Sequence, residues 1–463
     1  MGDMRFEHRM SDSDALMWSI EKDPMLRSTI TAVAVLDQAP DRVRLRDLVD
    51  RGTRLVPRMR QRVRSNPLSI APPRWEVDPN FDLDFHLRFV RAGGDRSVRS
   101  VLDLAEPIAM QGFDRARPLW EITVAEGLEG DQAALILKVH HAITDGVGAV
   151  QIALVMFELE RATGELDDMP GAPEAAVLGQ VGRFWDAIDH ERRRNLGIAM
   201  RSAGTVVGGL RSALGDPAGT VERAGATAAS VARMVAPATA PLSPLMTGRS
   251  LSVHFDTLSV GLPEAKAAAK RVGGTLNDAF VAATAGGFRR YHEAMGAEAA
   301  RLRMTMPINV RTEETSDLAG NQFVPARFPI PLDIDDAAER IQAIHDLVAV
   351  QRAEPAMALV EPLARVLNRL PTSMSTGIFG SMLKGVDLVT SNVPGAPIPI
   401  YIAGGQIEGL FAFGPMTGAA ANLTLLSYRD DLHIGINLDP AAVTEPATFV
   451  DCYRAAWDEL FEV

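Results

Sequence analysis

One cysteine, Cys452, is all that the 463 residues contain. This excludes an internal disulfide framework and any cysteine-cluster metal site, and it suits a reducing, cytoplasmic compartment. Basic residues are in the minority, 47 Lys and Arg against 59 Asp and Glu for a formal charge of −12, the wrong sign for a chain that wraps nucleic acid over a broad face. The opening residues MGDMRFEHRMSDSD lack the apolar core of a secretion signal, and Phe6 stands where a myristoylation signal carries Ser or Thr. Two uncharged runs, 388–407 and 409–428, reach spanning length, but Pro394, Pro397, Pro399 and Pro415 break any helix there. No transmembrane helix is predicted. Catalytic signatures are missing too: there is no GxSxG elbow, no phosphate-binding GxxxxGK(S/T) loop and no HExxH helix. Gln151 stands where a dinucleotide fingerprint beginning at Gly146 needs its third glycine.

What is present is a globular composition, 47% hydrophobic and 23% charged, in a chain about three times the ~150 residues of an average domain, so two domains or one duplicated architecture are expected. Strand patterns over 28–37, 84–90, 120–125 and 133–140 alternate with helical spacing over 43–56, 97–111 and 148–162. This is an α/β pattern. From 165 to 249 the chain is rich in Ala, Gly and scattered Arg and reads as a helical connector. Alternation then resumes, with strands expected over 251–258, 302–310, 323–330, 388–392, 423–428 and 432–438 and helices over 262–272, 277–295, 337–351 and 445–461. The predicted organisation is a first domain over 1–164, the connector, and a second domain of the same style over 250–463.

The segment richest in chemistry is Lys138-Val-His140-His141-Ala-Ile-Thr-Asp145-Gly146. An apolar strand runs into two adjacent histidines, and an Asp-Gly turn then opens the next element. Neighbouring residues at a strand end point to opposite faces, so only one histidine can look into a given cleft. A neutral histidine is the natural general base for a hydroxyl, its reference pKa lying near ~6.5. Asp145 could orient a histidine or pair with an arginine, and Gly146 permits close backbone approach; the plainer alternative is two packed histidines and a helix cap. Divergent adjacent histidines speak against zinc, and no metal is expected.

The string HHAITDG resembles the HHxxxDG signature of the coenzyme-A-dependent acyltransferase superfamily, and over nearly its whole length the chain resembles the bacterial wax ester synthase/acyl-CoA:diacylglycerol acyltransferase family. The supporting blocks run in family order: Met10 to Ala15, Phe81 to His86, Arg117-Pro118-Leu119-Trp120-Glu121, the histidine motif, Leu276-Asn277-Asp278, Gly320-Asn321-Gln322, Ser391-Asn392-Val393-Pro394-Gly395, and Leu426 to Asp430. Ala396 departs from the proline that relatives often place there. The resemblance implies two similar chloramphenicol-acetyltransferase-like α/β sandwich domains with an active-site channel between them and His141 as the base. It further implies transfer of a fatty acyl group from acyl-CoA, as co-substrate and without a cofactor, to diacylglycerol or a fatty alcohol. Peripheral contact with the inner face of the plasma membrane or with lipid droplets follows from so hydrophobic a product. A carrier-protein-dependent or specialised-acceptor acyltransferase, or a non-catalytic lipid-binding relative, are the alternatives.

Other residues carry two readings each. Pro118, Leu119 and Trp120 open a strand and either line the channel or supply an edge proline and a core tryptophan. Asn277 and Asp278 sit at a helix start, where capping competes with an amide that holds the acceptor or donates to an oxyanion. Ser391 and Asn392 are a turn by composition and substrate-binding by resemblance. Arg58, Arg60, Arg62 and Arg64 form a basic stripe, read as a solvated face or as a site for phosphate or anionic lipid.

Overall fold

Two six-stranded sheets carry the molecule. A computed structural model describes residues 7–66, 70–143, 155–162, 164–166, 168–309, 323–354 and 359–463. Strands β1 (Thr29–Leu36), β2 (Gln61–Arg64), β3 (Arg74–Val77), β4 (Leu87–Arg91), β5 (Trp120–Glu126) and β6 (Ala133–His140) precede the connector. After it come β7 (His254–Gly261), β8 (Arg301–Asn309), β9 (Phe323–Pro331), β10 (Leu388–Val393), β11 (Tyr401–Ile402), β12 (Gly405–Phe413), β13 (Ala421–Tyr428) and β14 (Asp431–Leu438). The first sheet has the order β11-β12-β1-β6-β5-β4, the second β7-β14-β13-β10-β8-β9, and β2 pairs with β3 alone.

Register decides which side of the first sheet each motif residue faces. β1 and β6 run antiparallel with Thr29 opposite His140 and Thr31 opposite Lys138, and directly opposed residues share a face. That face also carries Val33, Val35 and Ile136, covered by Val101, Leu102 and Ala105 of the Val98–Met110 helix together with Phe255 of β7. The other face buries Leu36, Trp120, Val124 and Val139 against Leu45, Leu48 and Val49 of the Arg42–Leu55 helix. The second sheet rests on the Leu276–Ala294 helix, whose Ala279, Phe280, Val281, Ala282 and Ala283 have no exposed surface. The Pro446–Phe461 helix crosses it at Gly287, where a Cβ would lie 2.9 Å from Tyr453 Cδ2 and 3.0 Å from its Cα. Only glycine allows that approach.

Three expectations are corrected. The strand expected over 84–90 begins as a helical turn, Leu83–His86, because the Asp82 side chain accepts from Asp84 N–H and caps it. Of the helix expected over 148–162, residues 148–154 lie outside the described residues, and the part from 155 to 162 is turn and bridge, with Glu158 exchanging backbone hydrogen bonds with Tyr401. The two halves also do not stay apart in sequence. β11 and β12, from within 250–463, extend the first sheet, β12 pairing with β1 from Thr31 opposite Phe413 to Leu36 opposite Ile407. Left at the sheet edge, β1 would present a row of unpaired N–H and C=O groups, which β12 covers.

The connector forms two helices, Gln180–Gly215 and Pro217–Val235, with Pro217 in the first turn after the Asp216 cap. It is clasped from both sides: Asp186 pairs with Arg9 and Arg74, Arg194 with Asp12, and Glu191 with Arg369. No helix among the described residues is long and apolar enough to cross a membrane.

Candidate functional site

His140 ends β6 and is 1% exposed. Its Nδ1 accepts from Ala142 N–H at 3.0 Å, and a backbone N–H can only donate, so the ring proton sits on Nε2, which donates to Glu21 Oε1 at 2.8 Å. Trp18 and Phe113 meet the ring edge-on at 5.3 and 6.0 Å between centroids. Burial alone would push the Glu21 carboxyl up, but the hydrogen bonds from His140 and Ser28 N–H and the charge of Arg115 outweigh it and hold Glu21 below the usual carboxylate range. Both nitrogens of His140 are therefore committed to structure.

His141 lies one residue past the strand, half-buried, with its N–H donating to Ser28 C=O at 2.8 Å. The two histidines are inequivalent, as strand geometry predicts. Asp145 and Gly146 lie outside the described residues. Lys138, two residues before His140 on the same face, is buried with Nζ 4.5 Å above the Phe113 ring, and burial lowers its pKa. Sequence reasoning missed Glu21, Ser28 and Phe113. Glu21 caps the C-terminus of the Asp12–Ile20 helix, and that helix is what the block beginning at Met10 encodes: Ser11 caps it by accepting from Asp14 N–H.

Pro118, Leu119 and Trp120 are buried core residues. Trp120 is 1% exposed, its Nε1–H donates to Met59 C=O at 2.7 Å, and it stacks at 4.6 Å on His86. His86 Nδ1 lies 2.6 Å from Trp120 C=O and donates to it, and burial pushes the His86 pKa down to about 4, so the ring is neutral near pH 7. The blocks at 81–86 and 117–121 thus meet as one aromatic stack. Its tie to the motif runs through the backbone, Leu119 C=O accepting from His140 N–H at 3.0 Å.

Three of the four arginines of the stripe, Arg58, Arg60 and Arg62, are packed into the protein with partners of their own. Arg58 is 4% exposed, stacks at 4.1 Å on Trp75 and donates to Glu7 C=O, and burial pushes its pKa down to about 9. Arg60 pairs with Asp50, and Arg62 lies 3.5 Å from Asp78.

The second-half residues gather on the second sheet. Asp278 is a capping residue: its Oδ2 accepts from Thr275 N–H, Thr275 Oγ1 and His345 Nδ1, each at 2.8 Å. Asn277 is half-buried and its Nδ2 donates weakly to Met306 Sδ of β8 at 3.4 Å. Ser391 and Asn392 belong to β10, paired in parallel with Thr424 and Leu425 of β13, so the turn starts only at Pro394. Ser391 is half-buried and Asn392 exposed. A cleft of about 640 Å³, its open mouth included, lies between the sheets; Arg27, Thr29, Thr31 and Phe413, the last paired with Thr31 on β12, line one side, Asn437 and Asp439 the other. Its first wall is thus the strand segment opposite His140 and Lys138.

Comparison with known proteins agrees with this architecture. The profile of the wax ester synthase/diacylglycerol acyltransferase catalytic domain matches residues 10–280, and that of the corresponding C-terminal domain matches 319–461. A putative diacylglycerol O-acyltransferase of Mycobacterium tuberculosis (strain H37Rv) is 36% identical over 456 residues, covering 98% of this chain and 92% of that protein. A probable diacylglycerol O-acyltransferase of the same strain is 25% identical over 428 residues, covering 90% and 87%. Among solved structures, the wax ester synthase/diacylglycerol acyltransferase from Marinobacter aquaeolei VT8 superposes with a TM-score of 0.64 at 23% identity, covering 98% of each chain. The first condensation domain of the calcium-dependent antibiotic synthetase gives 0.58 at 15% identity, covering 98% and 97%. These structural likenesses concern the fold.

Proposed function

The chain belongs to the wax ester synthase/diacylglycerol acyltransferase family and is an acyltransferase, and from that premise we propose that it moves a long-chain fatty acyl group from acyl-CoA to diacylglycerol or a fatty alcohol. The observation that carries the reading is the division of labour between the histidines. His140 is locked by Glu21 and Ala142, which leaves the chemistry to the half-buried His141. His141 takes the acceptor hydroxyl proton as the oxygen attacks the thioester carbonyl carbon. When the tetrahedral intermediate collapses, the C–S bond breaks and the leaving coenzyme A sulfur takes that proton back from His141. No covalent acyl-enzyme is involved. The reaction requires that water be kept from competing with the alcohol. The same reading groups Asp145 and Gly146 with His141 in one sequence motif. It gives Asn277, Ser391 and Asn392 the acceptor side.

Asn277→Ala is expected to lower turnover about tenfold, roughly 1.4 kcal/mol of transition-state stabilisation, with little change in melting temperature, because the side chain's bond to Met306 Sδ is weak. Unchanged turnover in the folded variant would remove Asn277 from the site. Peripheral membrane contact is part of the proposal. Val181, Trp185 and Leu196 project from one face of the Gln180–Gly215 helix at 71, 62 and 64% exposure, with the exposed Arg192 and Arg193 nearby. Vesicles rich in anionic phospholipid should sediment the protein and high salt should release it; retention until detergent is added contradicts a peripheral attachment. Ester formation from acyl-CoA without a carrier protein separates this reading from the carrier-dependent one that the condensation-domain likeness raises.

A further inference from the structure

We propose that Glu21 is the positioning residue of the histidine pair, one carboxylate oxygen fixing the tautomer of His140 and, through Ser28, the backbone of His141. The role rests on the acyl-transfer reading, with His141 as base. Glu21 Oε1 accepts from His140 Nε2–H at 2.8 Å and from Ser28 N–H at 2.6 Å. Ser28 C=O in turn accepts from His141 N–H at 2.8 Å. On the far side of the ring, Nδ1 accepts from Ala142 N–H at 3.0 Å, and His140 C=O accepts from Ile143 N–H at 2.9 Å. Residues 140, 141 and 142 are therefore all tied, directly or through one group, to a single oxygen atom.

An ionised carboxylate suits this task because it only accepts. If His140 carried its proton on Nδ1, the Nε2 lone pair would face the Glu21 oxygen and the Nδ1–H would face Ala142 N–H, so both hydrogen bonds would be lost at a buried site. The turn would then be free to shift, and with it His141. Glu21 is itself anchored at long range. It ends the Asp12–Ile20 helix, whose first turn is held through Asp12 by Arg194 of the connector and by Arg365 of the Val360–Leu367 helix in the second half. The placement of the base is thus referred to the connector and to the second half of the chain.

Full-length Glu21→Gln, Glu21→Asp and Glu21→Leu proteins test this against wild type, with palmitoyl-CoA and an acceptor that the wild-type enzyme uses. Glutamine keeps an oxygen that can accept both N–H groups, so its kcat should stay within about tenfold of wild type. Leucine should lower kcat by about 10²-fold, the scale expected when a reacting group is misplaced by about 1 Å, while KM for palmitoyl-CoA changes less than about twofold. Aspartate, one methylene short of spanning Ser28 and His140, should fall between them, and it decides the matter if the leucine protein fails to fold. Wild-type kcat in the leucine or aspartate variant, or equal losses in the glutamine and leucine variants, overturns the role. An independent readout is the 15N spectrum of labelled histidine with His140 assigned from a His140→Gln sample: wild type should show a neutral ring protonated at Nε2, and Glu21→Leu a mixture of tautomers. An unchanged His140 signal in Glu21→Leu also overturns the proposal, whether or not the protein transfers acyl groups. A wild type with the expected tautomer and no ester formation overturns only the acyl-transfer reading.

Discussion

Replacing His141 with alanine should give a protein that melts like wild type and forms ester at least ~10²-fold more slowly, the loss expected when a general base is removed. The half-buried ring follows the strand rather than filling the core, and the backbone bond from His141 N–H to Ser28 C=O survives the substitution. His140→Ala should behave in the opposite sense. It removes a ring that is 1% exposed and leaves Glu21 and Ala142 N–H without their partner, a cost of about 1–3 kcal/mol in stability. Melting temperature and initial rate at saturating acyl-CoA, measured on both variants, separate the two roles. A fully active His141→Ala enzyme would contradict the mechanism, and a stable but inactive His140→Ala enzyme would move the base to His140.

The largest loss of stability is expected at Trp120, far from any reacting atom. Trp120→Ala empties the centre of the first domain's core, removing the stack on His86 at 4.6 Å and stranding the Met59 carbonyl that accepts from the indole at 2.7 Å. The cost should be about 3–5 kcal/mol, the range for an aromatic truncated to alanine in a packed core. Because the Trp120 side chain is spent in the core, on His86 and on the Met59 carbonyl, KM for acyl-CoA in the remaining folded fraction should hold near the wild-type value. Denaturant titration with parallel kinetics checks both points. A stable Trp120→Ala protein with a raised KM would restore the channel-lining role that the fold argues against.

How far the sequence could be read depended on how local the signal was. β6 ends at His140 because a continuous apolar run terminates there, and the helices at 276–294 and 446–461 follow from spacing and capping residues within one segment. β12 was hidden, because its strand character is completed only by pairing with β1, more than 370 residues earlier, and nothing local says which sheet it joins. The Arg58 to Arg64 stripe misled for a similar reason: charge repetition looks solvent-facing until Trp75 and Asp50 are brought against it. At the site, strand alternation and the family resemblance together gave reason to separate His140 from His141, and the two differ in burial. Glu21 was not, since a lone carboxylate at a helix end carries no pattern, and its meaning arises only when β6 delivers His140 to it.

The central claim is transfer from acyl-CoA to a hydroxyl by His141. Purified protein should be incubated with labelled palmitoyl-CoA and, in separate reactions, with diacylglycerol or a long-chain alcohol, alongside His141→Ala. The account predicts labelled triacylglycerol or wax ester from at least one acceptor, with no carrier protein added and with the His141→Ala reaction at least ~10²-fold slower. Labelled free palmitate alone, or no turnover with either acceptor, would contradict it.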